Sequence, residues 1–250
     1  MMTMYEPPEE QVIAGKIAAG AIRLGMELCR DYIDGEQLDA NIEEYIRDSG
    51  ALPALKGDHP VFALKPYQHT ICLGIDNDVV HCVPNKLLDP SYMITIDLVV
   101  EYGGWHADTA RTFTYSNDAK KKQFIQNSNH IFQSAKDCIM PNQPISAFGS
   151  LVGIGAYMLG YRVIKEYCGH GIGRTIHIDP KIPNHETSST EVFQVGRAYA
   201  VEPVLSVGSY ELKHNSYDGF SVTSNNWASH FEDTIFIGPN GAINLTGDET

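Results

Sequence analysis

The run Ile94-Thr95-Ile96-Asp97-Leu98-Val99-Val100 is apolar strand material with a carboxylate in its middle. Residues of this kind specify a strand with at least one buried face, and an ionised Asp does not stay buried without a partner. The strand Met93–Glu101 is followed at once by another, Trp105–Thr114, across Tyr102-Gly103-Gly104. A hairpin centred between Tyr102 and Gly103 sets Asp97 directly opposite Asp108, and like charges facing each other across a ladder repel. Arg111 is the nearest basic residue in either strand. Either the two strands lie at an exposed sheet edge, or the acids are buried around something positive.

Two glutamates repeat the oddity. Glu202 follows Tyr199-Ala200-Val201 and precedes Pro203, and Glu232 lies between Phe231 and the strand-like Thr234-Ile235-Phe236-Ile237. Between these acids and the hairpin lies Cys168-Gly169-His170-Gly171-Ile172-Gly173-Arg174, with His177 seven residues after His170. A phosphate cradle needs a helix after its glycines, and Ile178-Asp179-Pro180-Lys181-Ile182-Pro183 cannot supply one. The glycines are better used to fold the backbone tightly around an inward-pointing imidazole.

Around these residues the periodicity alternates between helix and strand. Ile13, Ile17, Ala21, Leu24 and Leu28 recur at helical spacing, with Pro8 and Glu9 at the start and Gly35 beyond the end. Leu38, Ile42 and Ile46 mark a shorter helix stopping at Gly50. Ile71–Ile75 is a strand. A third helix is expected from Asn117 towards Met140, with Ile125, Ile131 or Phe132, Ala135 and Cys138 on one face. A fourth carries Phe148, Val152, Ala156 and Leu159 and ends at Gly160. Strands are expected at Tyr161–Lys165, Ala198–Ser206 and Phe231–Ile237. The order of long helix, short helix and strands thus occurs twice, which predicts one α+β domain over 1–250, built of two similar halves with helices packed on an antiparallel sheet.

The bulk numbers remove other classes. With 18 Lys plus Arg against 31 Asp plus Glu, the net charge of −13 argues against non-specific nucleic-acid binding. No apolar run reaches the ~20 residues a membrane span needs, and Met1 to Glu10, polar and with Pro7-Pro8, does not read as a secretory signal. The 5 cysteines (Cys29, Cys72, Cys82, Cys138, Cys168) form no CxxC pair, and reduced thiols fit a cytoplasmic address.

Four carboxylates and one imidazole are too anionic for a structural zinc site, which prefers Cys and His. They suit a pair of divalent ions such as Mn, Fe, Co or Zn. Two ions about 3.5–4 Å apart can share a hydroxide and polarise a carbonyl. The rival hydrolase signatures HExxH and GxSxG are absent, and His185-Glu186 is followed by Thr187-Ser188-Ser189, not by a second ligand.

On these residues the chain resembles the type I methionine aminopeptidases, which have the pita-bread fold. The likeness runs from the first helix to Ile243. It is strongest at Ile71–Ile75 through His81, the Asp97/Asp108 hairpin, Glu166–Arg174 and Val201-Glu202-Pro203. It implies a curved antiparallel sheet in two pseudo-symmetric halves and a dinuclear centre. Asp97 would chelate one ion, Asp108 and Glu232 would bridge both, and His170 and Glu202 would complete the other, with Glu202 also shuttling a proton. His81 and His177 match two non-ligand histidines that hold the substrate amide and help stabilise the tetrahedral intermediate. Tyr67 and Cys72 match positions lining the methionine pocket, and Ile176 and Phe220 fall where larger aromatic groups are usual.

The resemblance also has departures. Cys82 stands where Gly usually follows the first histidine, and Asp233 where His usually follows the last ligand. The Glu232-Asp233-Thr234 run and Ala107–Phe113 look more like the Xaa-Pro peptidases of the same fold, and the segment between Phe220 and Glu232 is slightly short. The expected function is removal of N-terminal methionine from nascent proteins and peptides, before a small second residue, by a monomer with no nucleic-acid or membrane partner. The alternatives are a short Xaa-Pro or broader aminopeptidase, and a pita-bread binding protein without catalysis.

Overall fold

The computed structural model describes residues 5–60 and 63–247. Helices α1 (Glu9–Leu28) and α2 (Gly35–Asp48) open the first half, and α3 (Ala119–Lys136) and α4 (Ile145–Met158) open the second. Helix α2 has the expected face, with Leu38, Ile42 and Ile46 fully buried, and Asp34 caps it by accepting from the Glu36 amide at 2.9 Å. Helix α3 is shorter than its sequence pattern. It starts after the Asp118 cap and gives way to tight turns at Cys138 and Ile139, ahead of Pro141.

Helix α1 is rotated from the expected stripe. Ile13, Leu24 and Leu28 are only half-buried, and the packed face is Ala14, Ile17, Ala18, Ala21, Ile22 and Gly25. The small residues bring the helix close to the hairpin beneath it. A Cβ on Gly25 would lie 2.6 Å from Ile96 Cδ1, so bulk at the contact line is excluded and the large residues stand to its sides.

Strands β1 (Ile71–Ile75), β2 (Met93–Tyr102) and β3 (Trp105–Thr114) form the sheet of the first half, with β2 between the other two. The second half contains β4 (Cys168–Ile172), β5 (Ile178–Pro183), β6 (Ala198–Val201), β7 (Val204–Ser206), β8 (Ala228–His230), β9 (Asp233–Gly238) and β10 (Gly241–Asn244). One sheet runs β5-β4-β6-β9-β10, and β7 joins β8 and the short strand Arg162–Val163 in another. All of these pairings are antiparallel. Each half has its own apolar core, one under α1 and α2, the other under α3 and α4 around Phe132, Phe148 and Tyr199.

Three sequence expectations are corrected by this sheet. The β2–β3 hairpin closes with Tyr102 opposite Trp105, so Asp97 faces Ala110 and Asp108 faces Val99. Gly103 and Gly104 both adopt positive φ (58° and 78°), forming a two-residue turn of the kind whose twist matches the strands. The two acids are therefore diagonal neighbours on one face, two positions out of direct register. Next, the expected strand Ala198–Ser206 is split at Glu202-Pro203, because a proline cannot donate to a ladder. Lastly, Cys168–Ile172 is a strand and not a tight wrap. Gly169 is required there for close strand approach, since a Cβ would stand 2.3 Å from Ala200 O. Among the described residues no helix is long and apolar enough to cross a membrane.

Candidate metal centre

The seam between the halves is stitched by short hydrogen bonds beside the acids. The Asp108 amide donates to Thr234 Oγ1 (2.8 Å), which donates back to Asp108 O (2.9 Å). Thr109 Oγ1 donates to Glu232 O (2.9 Å), and the Glu232 amide to Ala110 O (3.0 Å). Glu202 and Glu232 both sit where the chain passes from one sheet to another, so their side chains reach the seam while their neighbours remain in ladders.

One cavity of about 260 Å³ opens there. It is lined by Asp97 and Asp108 from the first half and by His170, Glu202 and Glu232 from the second. His81, His177, Tyr67, Cys72, Ile176 and Phe220 also line it. Every residue singled out from the sequence for the site thus borders the same space. Of the departures, Cys82 does not line it; its Sγ lies 3.4 Å from the carbonyls of both Val80 and Val222, in the wall behind. Tyr67 and Phe220 meet edge to face at 5.0 Å and form an apolar side with Cys72. His81 holds a left-handed backbone (φ 57°), a conformation rare for a side-chain-bearing residue, and its ring meets Tyr167 at 5.8 Å.

The electrostatics are those of a cation site. Burial, then neighbouring carboxylates, pushes Asp108 and Glu232 well above the usual carboxylate range. Burial alone takes Glu202 up to about 8, and burial takes Asp97 up to about 6 against a partial offset from His230. Among the described residues no Lys or Arg lines the cavity. Asp108 Oδ1 is buried without a hydrogen-bond partner among the described residues, and ligand atoms of Asp108, His170 and Glu232 all lie within 4.8 Å of one another. His170 Nδ1 stands 3.0 Å from Gly171 O, so Nδ1 carries the proton and Nε2 offers its lone pair towards the acids. Burial and then His177 push His170 down to about 4, keeping it neutral. Carboxylates lacking a protein counter-ion, an unfilled oxygen and an oriented neutral imidazole together fit divalent metal.

Two features were not foreseen from the sequence. Arg111, the base nearest the acids in sequence, turns away from them. Its Nη2 lies 2.5 Å from Asp233 Oδ1, and Lys136 contacts the other oxygen of Asp233. His230, whose side chain is 4% exposed, borders the cavity with Nε2 3.6 Å from Glu202 Oε2. A period-two count back from Glu232 along a strand would have found it.

Comparison with known proteins agrees with this geometry. The model of metallopeptidase family M24 matches residues 10–239. A methionine aminopeptidase of Clostridium perfringens is 30% identical over 238 residues, covering 93% of each chain. The crystal structure of a methionine aminopeptidase from Thermotoga maritima superposes with a TM-score of 0.90 at 26% identity, covering 99% of this chain and 100% of that one. A prolidase from Pyrococcus furiosus shares the fold at a TM-score of 0.73 and 20% identity, and this chain spans 66% of it. The chain belongs to metallopeptidase family M24, and its α+β architecture is the pita-bread fold.

Proposed function

We propose that this family M24 enzyme removes N-terminal methionine from peptides and nascent proteins, at two divalent ions held by Asp97, Asp108, His170, Glu202 and Glu232. The observation that carries the reading is a cavity bordered by these five groups, drawn from both halves of the chain and with no Lys or Arg among the described residues that line it. When bound, the ions supply Lewis-acid polarisation of the scissile carbonyl and acidify a water. Asp97, which lines the same cavity, would hold one of the ions. Asp108 and Glu232, on segments tied together across the seam, would both hold the ions. Glu202, whose carboxylate faces the same space as the other ligands, would also take and return a proton during the reaction. His81 and His177 donate to the substrate amide and to the oxygen that becomes negative in the transition state. The 5 cysteines are free thiols, which supports a reducing, cytoplasmic setting.

Methionine is long, unbranched and polarizable, and Tyr67, Cys72, Ile176 and Phe220 offer it an apolar pocket with soft contacts. The second residue must be small, because bulk beside the metals and His177 would move the carbonyl out of line, and ~1 Å of displacement costs on the order of a hundredfold. Ile176 and Phe220, in place of the larger aromatics usual in the family, leave room for weak cleavage after Leu. The Glu232-Asp233-Thr234 run favours a second reading, an Xaa-Pro peptidase. The similarity to methionine aminopeptidases, at 30% identity in sequence and a TM-score of 0.90 in structure, supports methionine. Measurement of kcat/KM on Met-Ala-Ser, Met-Lys-Ser, Leu-Ala-Ser and Ala-Pro-Ser separates the two. Met-Ala-Ser is expected to lead and Met-Lys-Ser to fail; a preference for Ala-Pro-Ser overturns the methionine assignment.

A further inference from the structure

His230 is buried among the proposed ligands yet has no conventional use. Both of its ring nitrogens are buried without a hydrogen-bond partner among the described residues, although buried polar atoms are nearly always satisfied. Nε2 lies 3.6 Å from Glu202 Oε2 and 3.9 Å from Glu232 Oε2. Both distances are too long for a hydrogen bond. They do fit ligands of a common ion, because two atoms each ~2.1 Å from one metal are at most ~4.2 Å apart.

The same spacing recurs on the other side of Glu202. His170 Nε2 lies 3.6 Å from Glu202 Oε1 and 3.8 Å from Asp108 Oδ2. Each oxygen of Glu202 thus faces its own imidazole at the same distance. The His230 backbone is also fixed. Its amide donates to Thr112 Oγ1 (2.8 Å), and Thr112 Oγ1 donates to His230 O (3.0 Å). Since that hydroxyl has one proton, the 2.8 Å contact with Thr95 Oγ1 is donated by Thr95. The pairing of Val204 with His230 across β7 and β8 then sets the imidazole beside Glu202. Preorganisation of this kind is what a metal ligand needs.

We infer that His230 is a sixth protein ligand of the metal centre, which would give it a second imidazole nitrogen on the side of Glu202 opposite His170. The inference rests on the metal-centre reading above and adds to it a donor outside the set of five. A second nitrogen shifts the site further from Mg and Mn towards Fe, Co and Zn.

The test is proton NMR of the full chain loaded with Co(II), with loading measured by elemental analysis. A coordinated imidazole keeps one ring N–H, and the paramagnetic ion moves that solvent-exchangeable signal far downfield. The expected spectrum has two such signals. H170A removes one, while H230A and the bulkier H230Q each remove the other and weaken Co(II) binding by about 10–100-fold. The wild-type count decides the matter even if a variant misfolds. Two bound Co(II) with a single shifted N–H signal, or two signals that both survive in folded H230A or H230Q, overturns the assignment of His230 and leaves the five-ligand centre standing. Failure to bind Co(II) at all overturns both.

Discussion

Glu232 and Asp233 are neighbours in the chain, both buried, and their carboxylates lie in opposite electrostatic surroundings. Asp233 points into the second half and is fully enclosed by partners. Arg111 and Lys136 contact its two oxygens, Asn244 Nδ2 donates at 2.8 Å and Thr246 Oγ1 at 3.3 Å. Burial would raise its pKa, but the two cations hold it below the usual carboxylate range. Glu232 points the other way, into the seam. There burial, then Asp108, Glu202 and Asp97, drive it far above that range. The protein neutralises the first acid with its own side chains and leaves the second without a cationic one. The contrast separates two kinds of buried acid, one an internal staple and the other, in the function proposed above, a ligand for a cation supplied from outside. Arg111 links them, for its Nη1 donates to Glu232 O while Nη2 holds Asp233. The staple therefore also fixes the backbone of a proposed metal ligand.

Removing an acid from the seam should produce the largest effect. D108A or E232A is expected to reduce peptide cleavage to background and to lose stoichiometric metal, read by turnover on Met-Ala-Ser and elemental analysis. Near-normal turnover in either folded variant would abolish the distinction between the two kinds of acid. Breaking the staple comes next. R111M leaves Asp233 with Lys136 alone, and about 3 kcal/mol of stability should be lost, the low end for a broken buried ion pair. For a chain of this size that lowers Tm by roughly 6–12 °C, measured on metal-free protein so that binding does not contribute. An unchanged Tm would show that the clamp is not structural.

Chelation probes the seam directly. Metal bound only by the native state stabilises it by ~2.7 kcal/mol at a hundredfold excess over Kd. EDTA should therefore lower Tm by about 5–10 °C, with recovery on adding Mn(II) or Co(II). No shift after verified removal would contradict a metal cluster in the native state. The smallest effect concerns pH. Glu202 is pushed up to about 8, so the folded, metal-free protein holds a proton that the unfolded chain releases near its ordinary value. Stability from this group is intact below the ordinary carboxylate pKa and is lost as pH rises through about 8. Metal-free E202Q should accordingly melt higher than metal-free wild type near neutral pH and show a flatter dependence across that window. Equal slopes would mean that Glu202 is solvated.

Much of the site was legible because acids inside apolar strands violate a simple rule. Asp97, Glu202 and Glu232 each stand out against neighbours that demand burial, and no nearby base relieves them. Leu38, Ile42 and Ile46 announced α2 in the same way. Other features were hidden for identifiable reasons. Glycine has poor strand propensity, so Cys168–Ile172 did not read as a strand, although close approach to Ala200 requires glycine there. The Ala- and Gly-rich contact face of α1 carries little hydrophobic signal, so the larger residues at its flanks drew the predicted stripe.

Residue order alone specified the elements and the chemical problem: helices in two sets, strands carrying acids without a nearby base, and a histidine among glycines. How that problem is resolved depends on the packing of the two halves. The hairpin register followed from two positive-φ glycines. Arg111 reached Asp233 and not the acids nearest it in sequence, and His230 came to stand beside Glu202. Local pattern is fixed by side-chain preference and backbone geometry over a few residues. Partnership between charges far apart in sequence depends on which surfaces the two cores bring together when they pack.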